Sequence, residues 1–84
     1  MKINVKLFAN YREKAGRSEL TLELLNGSTA GYAALEIAQK FPNITCQPEK
    51  LILAVNDEYK KHSHILIDGD ELALIPPVSG GSDD

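Results

Sequence analysis

The sequence predicts an α+β fold in which a mixed β-sheet packs on one main helix. Apolar and polar residues alternate over Lys2–Phe8 and Glu19–Leu24, which is the pattern of half-buried strands. One segment with helical spacing follows, from about Ala30 to Lys40, and a short apolar strand, Leu72–Ile75, comes near the end of the chain. Several strands and a single long helix predict two layers, with the helix on one face of the sheet.

The first strand has a predicted core face and an end that turns away from it. Ile3, Val5 and Leu7 share one face, so Phe8 points to the other. The next residues, Ala9 to Gly16, contain good helix formers and close with a glycine. They predict a short helical turn that stops at the glycine.

The main helix has recognisable start and stop signals. Ser28 or Thr29 is suited to cap its N-terminus, and Pro42 ends it. Gly31 in the first turn is unfavourable by up to about 1 kcal/mol relative to alanine.

The second half of the chain supplies the remaining strands. We predict strands at Leu51–Asn56, Ile65–Ile67 and Leu72–Ile75, separated by turns at Asp57–Glu58 and Asp68–Asp70. The order is then strand, strand, helix, strand, short strand, strand. This order fits a β-grasp fold, although it also permits other small α+β folds.

The chain divides into one domain and a tail. Pro76 and Pro77 end the last strand because proline cannot donate a hydrogen bond to a ladder. We therefore predict a single domain over residues 1–77. Residues 78–84, which read Val-Ser-Gly-Gly-Ser-Asp-Asp, are predicted to form a mobile C-terminal tail.

Composition excludes several classes of protein. With 9 basic and 12 acidic residues the net charge is −3, which disfavours nucleic-acid binding. No apolar run approaches the roughly 20 residues of a membrane helix. The N-terminus lacks the apolar centre of a signal peptide, so we expect a cytoplasmic protein without a membrane partner.

No metal or bound cofactor is expected. The single cysteine, Cys46, excludes an internal disulfide, and with His62 and His64 it is too small a set for a structural zinc site. Asp68, Asp70 and Glu71 lack the ligand series of a calcium loop, so a turn is the better interpretation. No nucleophile and base are placed as in a standalone enzyme.

Several short segments, in order along the chain, form one recognisable pattern. They are Lys6-Leu7-Phe8-Ala9 with Arg12-Glu13 and Gly16, then Ala54-Val55-Asn56, Asp68-Gly69-Asp70-Glu71, and Ile75-Pro76-Pro77-Val78-Ser79-Gly80-Gly81. Together they resemble the molybdopterin synthase small subunit, of the MoaD/ThiS family of ubiquitin-like sulfur carriers, over residues 1–81. The early Leu-Phe-Ala with Arg-Glu and Gly, and the final Pro-Pro-Val-Ser-Gly-Gly, also favour this member over the thiamin-pathway carrier.

The resemblance implies a β-grasp fold and a carrier that works through its C-terminal Gly80-Gly81. In the family, an adenylating enzyme related to ubiquitin-activating enzymes uses ATP to activate the terminal carboxylate, here that of Gly81. A sulfur donor then converts it to a thiocarboxylate, which enters the large synthase subunit and gives its sulfur to a pterin precursor. The catalytic groups are therefore expected on the partners.

The residue types of the tail suit that role. Glycines have no side chain to clash in a narrow tunnel and accept backbone conformations closed to other residues. Pro76 and Pro77 stiffen the root of the tail and reduce the entropy lost on insertion.

The chain departs from the family pattern after Gly81, because Ser82-Asp83-Asp84 follow it and lock its carboxyl group in a peptide bond. Three explanations are open. A protease removes the three residues, the addition is an artefact, or this member has lost sulfur transfer and keeps only a binding role. We favour processing, which adds a protease to the expected partners.

The resemblance also implies a docking surface. Phe8, Tyr59 and Ile75 match the positions of the hydrophobic partner patch of the family, beside Pro76, Pro77 and Val78. An exposed apolar cluster is what a docking site needs. The alternative is that Phe8 or Tyr59 completes a small core, as most aromatic residues do.

Other functions remain open at this point. The same chemistry could serve thiamin, cysteine or thiolated tRNA synthesis, because the partner selects the pathway. A protein of a different class, a ubiquitin-like modifier or an interaction module without sulfur transfer, is the further alternative.

Overall fold

The structure is a computed structural model that describes residues 1–76. It contains two α-helices, one short 3-10 helix and five strands. Their bounds are β1 Lys2–Leu7, α1 Ala9–Ala15, β2 Glu19–Glu23, α2 Ala30–Lys40, the 3-10 helix Pro48–Lys50, β3 Ile52–Val55, β4 Glu58–Lys60 and β5 Glu71–Ile75.

The strands form one mixed sheet in the order β2-β1-β5-β3-β4. The central strand, β5, is parallel to its neighbour β1, with Val5 opposite Leu72 and Leu7 opposite Leu74. All other neighbours are antiparallel. Because β1 and β5 run in the same direction, their last residues lie at the same end of the sheet. The end of the domain at Ile75 therefore comes next to the end of β1.

A single core lies between the sheet and α2. Four helix residues, Ala30, Ala33, Ala34 and Ile37, are fully buried. Three of them are alanines, which let the helix backbone approach the sheet closely. The opposing face of the sheet is aliphatic, as the alternation predicts, and its buried members are Ile3, Val5, Leu7, Leu20, Leu22, Leu53, Val55, Leu72 and Leu74.

The loop before β5 completes the N-terminus of α2. Thr29 is the N-cap, and its Oγ1 accepts a hydrogen bond from the Tyr32 backbone N–H at 3.1 Å. The two preceding N–H groups, of Ala30 and Gly31, donate to the carbonyls of His64 and His62 at 2.8 and 2.9 Å. These partners satisfy donors that a helix start leaves open.

Neither α-helix within residues 1–76 is long and apolar enough to cross a membrane.

The predicted short strand at Ile65–Ile67 is wrong. Ile65 makes only an isolated bridge to Thr29, and Ile65 and Ile67 are 58% and 70% exposed, whereas Leu66 is buried. The fourth strand is instead β4, joined to β3 by the two-residue turn Asn56–Asp57. Both turn residues have positive φ, 52° and 70°. This is the conformation of the tight hairpin turns that Asn and Asp tolerate well.

Candidate functional site

A shallow apolar depression of about 290 Å³ lies on the face of the sheet opposite α2. It exists because strand parity sends alternate residues of β5 to opposite sides: Leu72 and Leu74 enter the core, whereas Ala73 and Ile75 face outward. The lining residues are Lys6, Phe8, Ala54, Asp57, Tyr59, Glu71, Ala73 and Ile75.

The floor of the depression is made of two alanines. Ala54 on β3 is directly opposite Ala73 on β5 and also pairs with Tyr59 on β4. Small side chains in the middle of the sheet, between larger ones, produce a recess rather than a flat surface. The walls are the larger apolar side chains of Phe8, Tyr59 and Ile75.

Phe8 takes its position from the junction between β1 and α1. It has extended backbone as the N-cap of α1, with φ −122°, and the next residue, Ala9, has a positive φ of 52°. Positive φ is unfavourable for alanine, so the surrounding structure must hold this turn in place. Tyr11 helps to do so because its ring is buried in the core and anchors α1. The chain thus enters α1 while the Phe8 ring stays on the outer face.

The three residues predicted for docking lie around this one depression. Phe8 and Tyr59 are 43% and 75% exposed and Ile75 is half-buried, so the alternative that the two aromatic residues complete the core is wrong. Pro76 directly follows Ile75 at the same end of the sheet. The predicted site residues Pro77, Val78, Gly80 and Gly81 lie outside the described residues.

Charged side chains border the apolar surface. The Lys6 ammonium lies 2.8 Å from a Glu71 carboxylate oxygen. This hydrogen bond, together with the charge of Glu71, raises the pKa of Lys6 above its ordinary value, and Glu19 and Asp57 act in the same direction. Sequence reasoning missed these border residues and the alanine floor. These residues are brought together by the strand registers, which the sequence does not reveal. The alternation along a strand shows only which residues face outward, and most of those do not border the depression.

Two of the other polar side chains singled out in the sequence, those of His62 and Asp70, have structural partners. His62 Nε2 lies 2.7 Å from the Leu51 carbonyl oxygen, and Asp70 accepts hydrogen bonds from Ile67 N–H and Asn56 Nδ2 at 2.8 and 2.9 Å. Cys46 is exposed. Residues 1–76 contain no group of three His, Cys, Asp or Glu side chains placed to hold a metal ion.

Comparisons with known proteins point in one direction. The sequence profile of the ThiS family matches residues 5–81. The chain is 43% identical to the molybdopterin synthase sulfur carrier subunit of Arabidopsis thaliana, over 96% of this chain and 84% of that protein. The predicted family resemblance is therefore confirmed.

Solved structures share the fold over nearly the whole chain. The small archaeal modifier protein 1 from Methanosarcina acetivorans is 31% identical, with a TM-score of 0.77 over 95% of this chain and 96% of that one. One chain in a complex of subunits 1 and 2 of molybdopterin-converting factor from Helicobacter pylori matches with 22% identity and a TM-score of 0.65, over 96% of this chain and 100% of that chain. The predicted β-grasp fold is confirmed.

Proposed function

Because the chain belongs to the ThiS family, we propose that it is the sulfur carrier of molybdenum cofactor synthesis, the small subunit of a molybdopterin synthase. The observation that carries this proposal is the 43% identity to a molybdopterin synthase sulfur carrier subunit over 96% of the chain. The depression next to the last strand supports it, because a carrier needs a surface by which its partners hold it while its tail is used.

The proposed chemistry takes place at Gly81. A carboxylate is a poor acceptor for a sulfur nucleophile, so an activating enzyme first joins it to the AMP part of ATP and releases pyrophosphate. A donor of sulfur at the oxidation level of sulfide then attacks the acyl carbon and expels AMP, and loss of the proton leaves a thiocarboxylate. In this proposal the partners supply any acid, base or metal for these steps, and ATP is a substrate of the activating enzyme.

The depression is proposed to dock the large synthase subunit. Its apolar walls sit at the point where the chain leaves the sheet, so a partner that covers Phe8 and Ile75 also receives the start of the tail. Gly81 follows Ile75 by six residues, and a fully extended chain of that length reaches about 20 Å. The reacting centre of the partner should therefore lie within about 20 Å of the surface that receives Ile75. The Helicobacter pylori complex of subunits 1 and 2 supports a partner of this kind.

Processing is part of the proposal. Ser82 follows Gly81, and an amide carbonyl cannot be adenylated in place of a carboxylate. We therefore propose that a protease cuts after Gly81 and removes Ser82-Asp83-Asp84. The competing explanations, an artefactual extension or a member that only binds, predict no such cut.

A second candidate function is favoured by the likeness to small archaeal modifier protein 1. A modifier uses the same activated glycine carboxyl, but the acceptor is an amine on another protein rather than sulfur. Both functions need cleavage after Gly81, so the acceptor distinguishes them. A carrier for thiamin, cysteine or tRNA thiolation would differ from the leading proposal only in its partner.

Genetic complementation tests the proposal. In a host that lacks its own small subunit, a chain ending at Gly81 should restore molybdopterin, and a chain ending at Gly80 should not. The same pair of chains in a host that lacks its thiamin carrier is the control for pathway. Failure of the Gly81 chain to restore molybdopterin, or equal rescue by both chains, would overturn the proposal.

A further inference from the structure

The border of the depression carries an excess of negative charge. Its charged lining residues are two carboxylates, Asp57 and Glu71, and a single cation, Lys6. Glu19 adds another carboxylate close enough to raise the Lys6 pKa together with Glu71 and Asp57. One ammonium therefore stands among three carboxylates, and it is taken up by its 2.8 Å contact with Glu71.

Asp57 has no ion-pair partner within residues 1–76. The ion pairs in this part of the chain are Lys6–Glu71 and, on β4, Lys60–Glu58 at 3.2 Å. The second pair is internally neutral and adds no net charge beside Tyr59. The Asp57 side chain is therefore exposed at the edge of an apolar surface with its charge available to a partner.

The backbone at Asp57 is held in place through its neighbour Asn56. It is the second residue of the two-residue turn between β3 and β4. The first, Asn56, donates from Nδ2 to Asp70 at 2.9 Å and accepts from the Glu71 N–H at 3.1 Å. These hydrogen bonds tie the turn to the start of β5. Because this backbone is already ordered, a partner that contacts the Asp57 carboxylate has only the side chain left to immobilise.

We propose that the partner that covers the depression presents a basic side chain, arginine or lysine, to Asp57 and Glu71 beside its apolar contact. This inference rests on the docking role proposed above and adds the charge of the partner surface that meets the border of the depression. Lys6 then weakens the attraction between this border and the partner's basic side chain, because it neutralises the charge of Glu71. An exposed rim charge acts mainly on the rate of association and on its salt dependence.

Two substitutions at the border of the depression should change the rate of association in opposite directions. Asp57→Asn keeps a residue that tolerates positive φ and removes a negative charge, so association should slow about two- to fivefold at low salt. Lys6→Met keeps the apolar stem and removes the positive charge, so association should accelerate by a similar factor. Both effects should vanish near 1 M salt, where the screening length falls to about 3 Å.

The test is stopped-flow association of chains ending at Gly81 with the large synthase subunit of the same organism. Glu23→Gln is the matched control, because Glu23 lies on β2 opposite Lys2 and outside the depression. Opposite changes for the two rim variants and none for the control support the inference. If Asp57→Asn and Lys6→Met both behave like Glu23→Gln while Ile75→Asp weakens binding about thirtyfold or more, the proposed basic side chain of the partner is wrong and the docking site stands. If Ile75→Asp binds like the wild type, the docking proposal and the rim inference both fall.

Discussion

Gly31 lies against His62 so closely that a Cβ atom on the glycine would stand 2.9 Å from the His62 Cβ and 3.0 Å from its carbonyl oxygen. The same carbonyl accepts the Gly31 N–H at 2.9 Å, and the His62 ring reaches the Leu51 carbonyl. This contact fastens the loop before β5 to α2. It explains a glycine that helix propensity alone disfavours.

Gly31→Ala should destabilise the domain by about 1–3 kcal/mol, because the added methyl must displace His62 and its backbone. Intrinsic propensity predicts the opposite, a gain of about 1 kcal/mol. Urea unfolding followed by circular dichroism measures the difference. Gln39, exposed on the same helix, provides the control, since there Ala should be more stable than Gly by about 1 kcal/mol. Equal or greater stability of Gly31→Ala would contradict the role of the contact.

Ile75→Asp should raise the Kd for the large synthase subunit by about thirtyfold or more, as loss of a central apolar contact does. The domain should remain folded, because Ile75 is on the outer face of β5. Calorimetric titration measures the affinity, and circular dichroism checks the fold. Ile67→Asp, at a site 70% exposed outside the depression, is the control and should bind normally. Unfolding of Ile75→Asp, or equal weakening by Ile67→Asp, would contradict the assignment of the surface.

Insertion of Gly-Ser between Pro77 and Val78 should separate docking from sulfur transfer. The two residues add up to about 7 Å to the tail and leave the depression intact, so affinity should change little. Sulfur transfer from the thiocarboxylate should fall about a hundredfold, because misplaced reacting atoms react slowly. Single-turnover transfer to the pterin precursor measures this. The same insertion between the exposed residues Cys46 and Gln47, in the loop before the 3-10 helix, should leave both properties unchanged. Normal transfer by the lengthened tail would show that tail length is not a constraint.

Stability should fall as the pH rises above about 10, and Tyr11 should account for part of the fall. Burial raises the pKa of the Tyr11 phenol above its ordinary 10.0, so the unfolded chain loses this proton before the folded domain does. In this pH range, unfolding therefore releases the Tyr11 proton into solution. A higher pH favours that release, so the free energy of unfolding falls as the pH rises. Tyr11→Phe should therefore show a shallower decline in unfolding free energy between about pH 9 and pH 11. Lys6, with its raised pKa, acts in the same direction in both proteins and cancels in the comparison. If the unfolding free energies of the wild type and Tyr11→Phe decline in parallel, Tyr11 is not a source of the pH dependence.

Strict alternation made much of the fold predictable from the sequence. Val5 and Leu72 fall on core faces because each strand has one buried side, and the same parity sends Phe8 and Ile75 outward. The stop at Gly16 follows from its left-handed φ of 76°, which glycine adopts without strain. These features depend on neighbours in sequence, so sequence patterns reveal them.

Features set by distant contacts were not predictable. β4, which comprises Glu58–Lys60, is a short edge strand with little burial, so its sequence shows no alternation. It forms because the tight turn at Asn56–Asp57 brings it back alongside β3. Ile65–Ile67 looked like a strand because it is apolar, but only Leu66 enters the core. The alanine floor and the charged border of the depression depend on the register between β3, β4 and β5, which no local pattern encodes.

Intact mass spectrometry can show whether the carboxyl group of Gly81 is the reactive group of this protein. The chain ending at Gly81 is incubated with the activating enzyme, ATP and a sulfur donor, beside the full chain ending at Asp84. We expect the shorter chain to exchange one oxygen for sulfur and the full chain to keep its mass. No mass change in the shorter chain, or equal sulfur uptake by both chains, would rule out this role for Gly81.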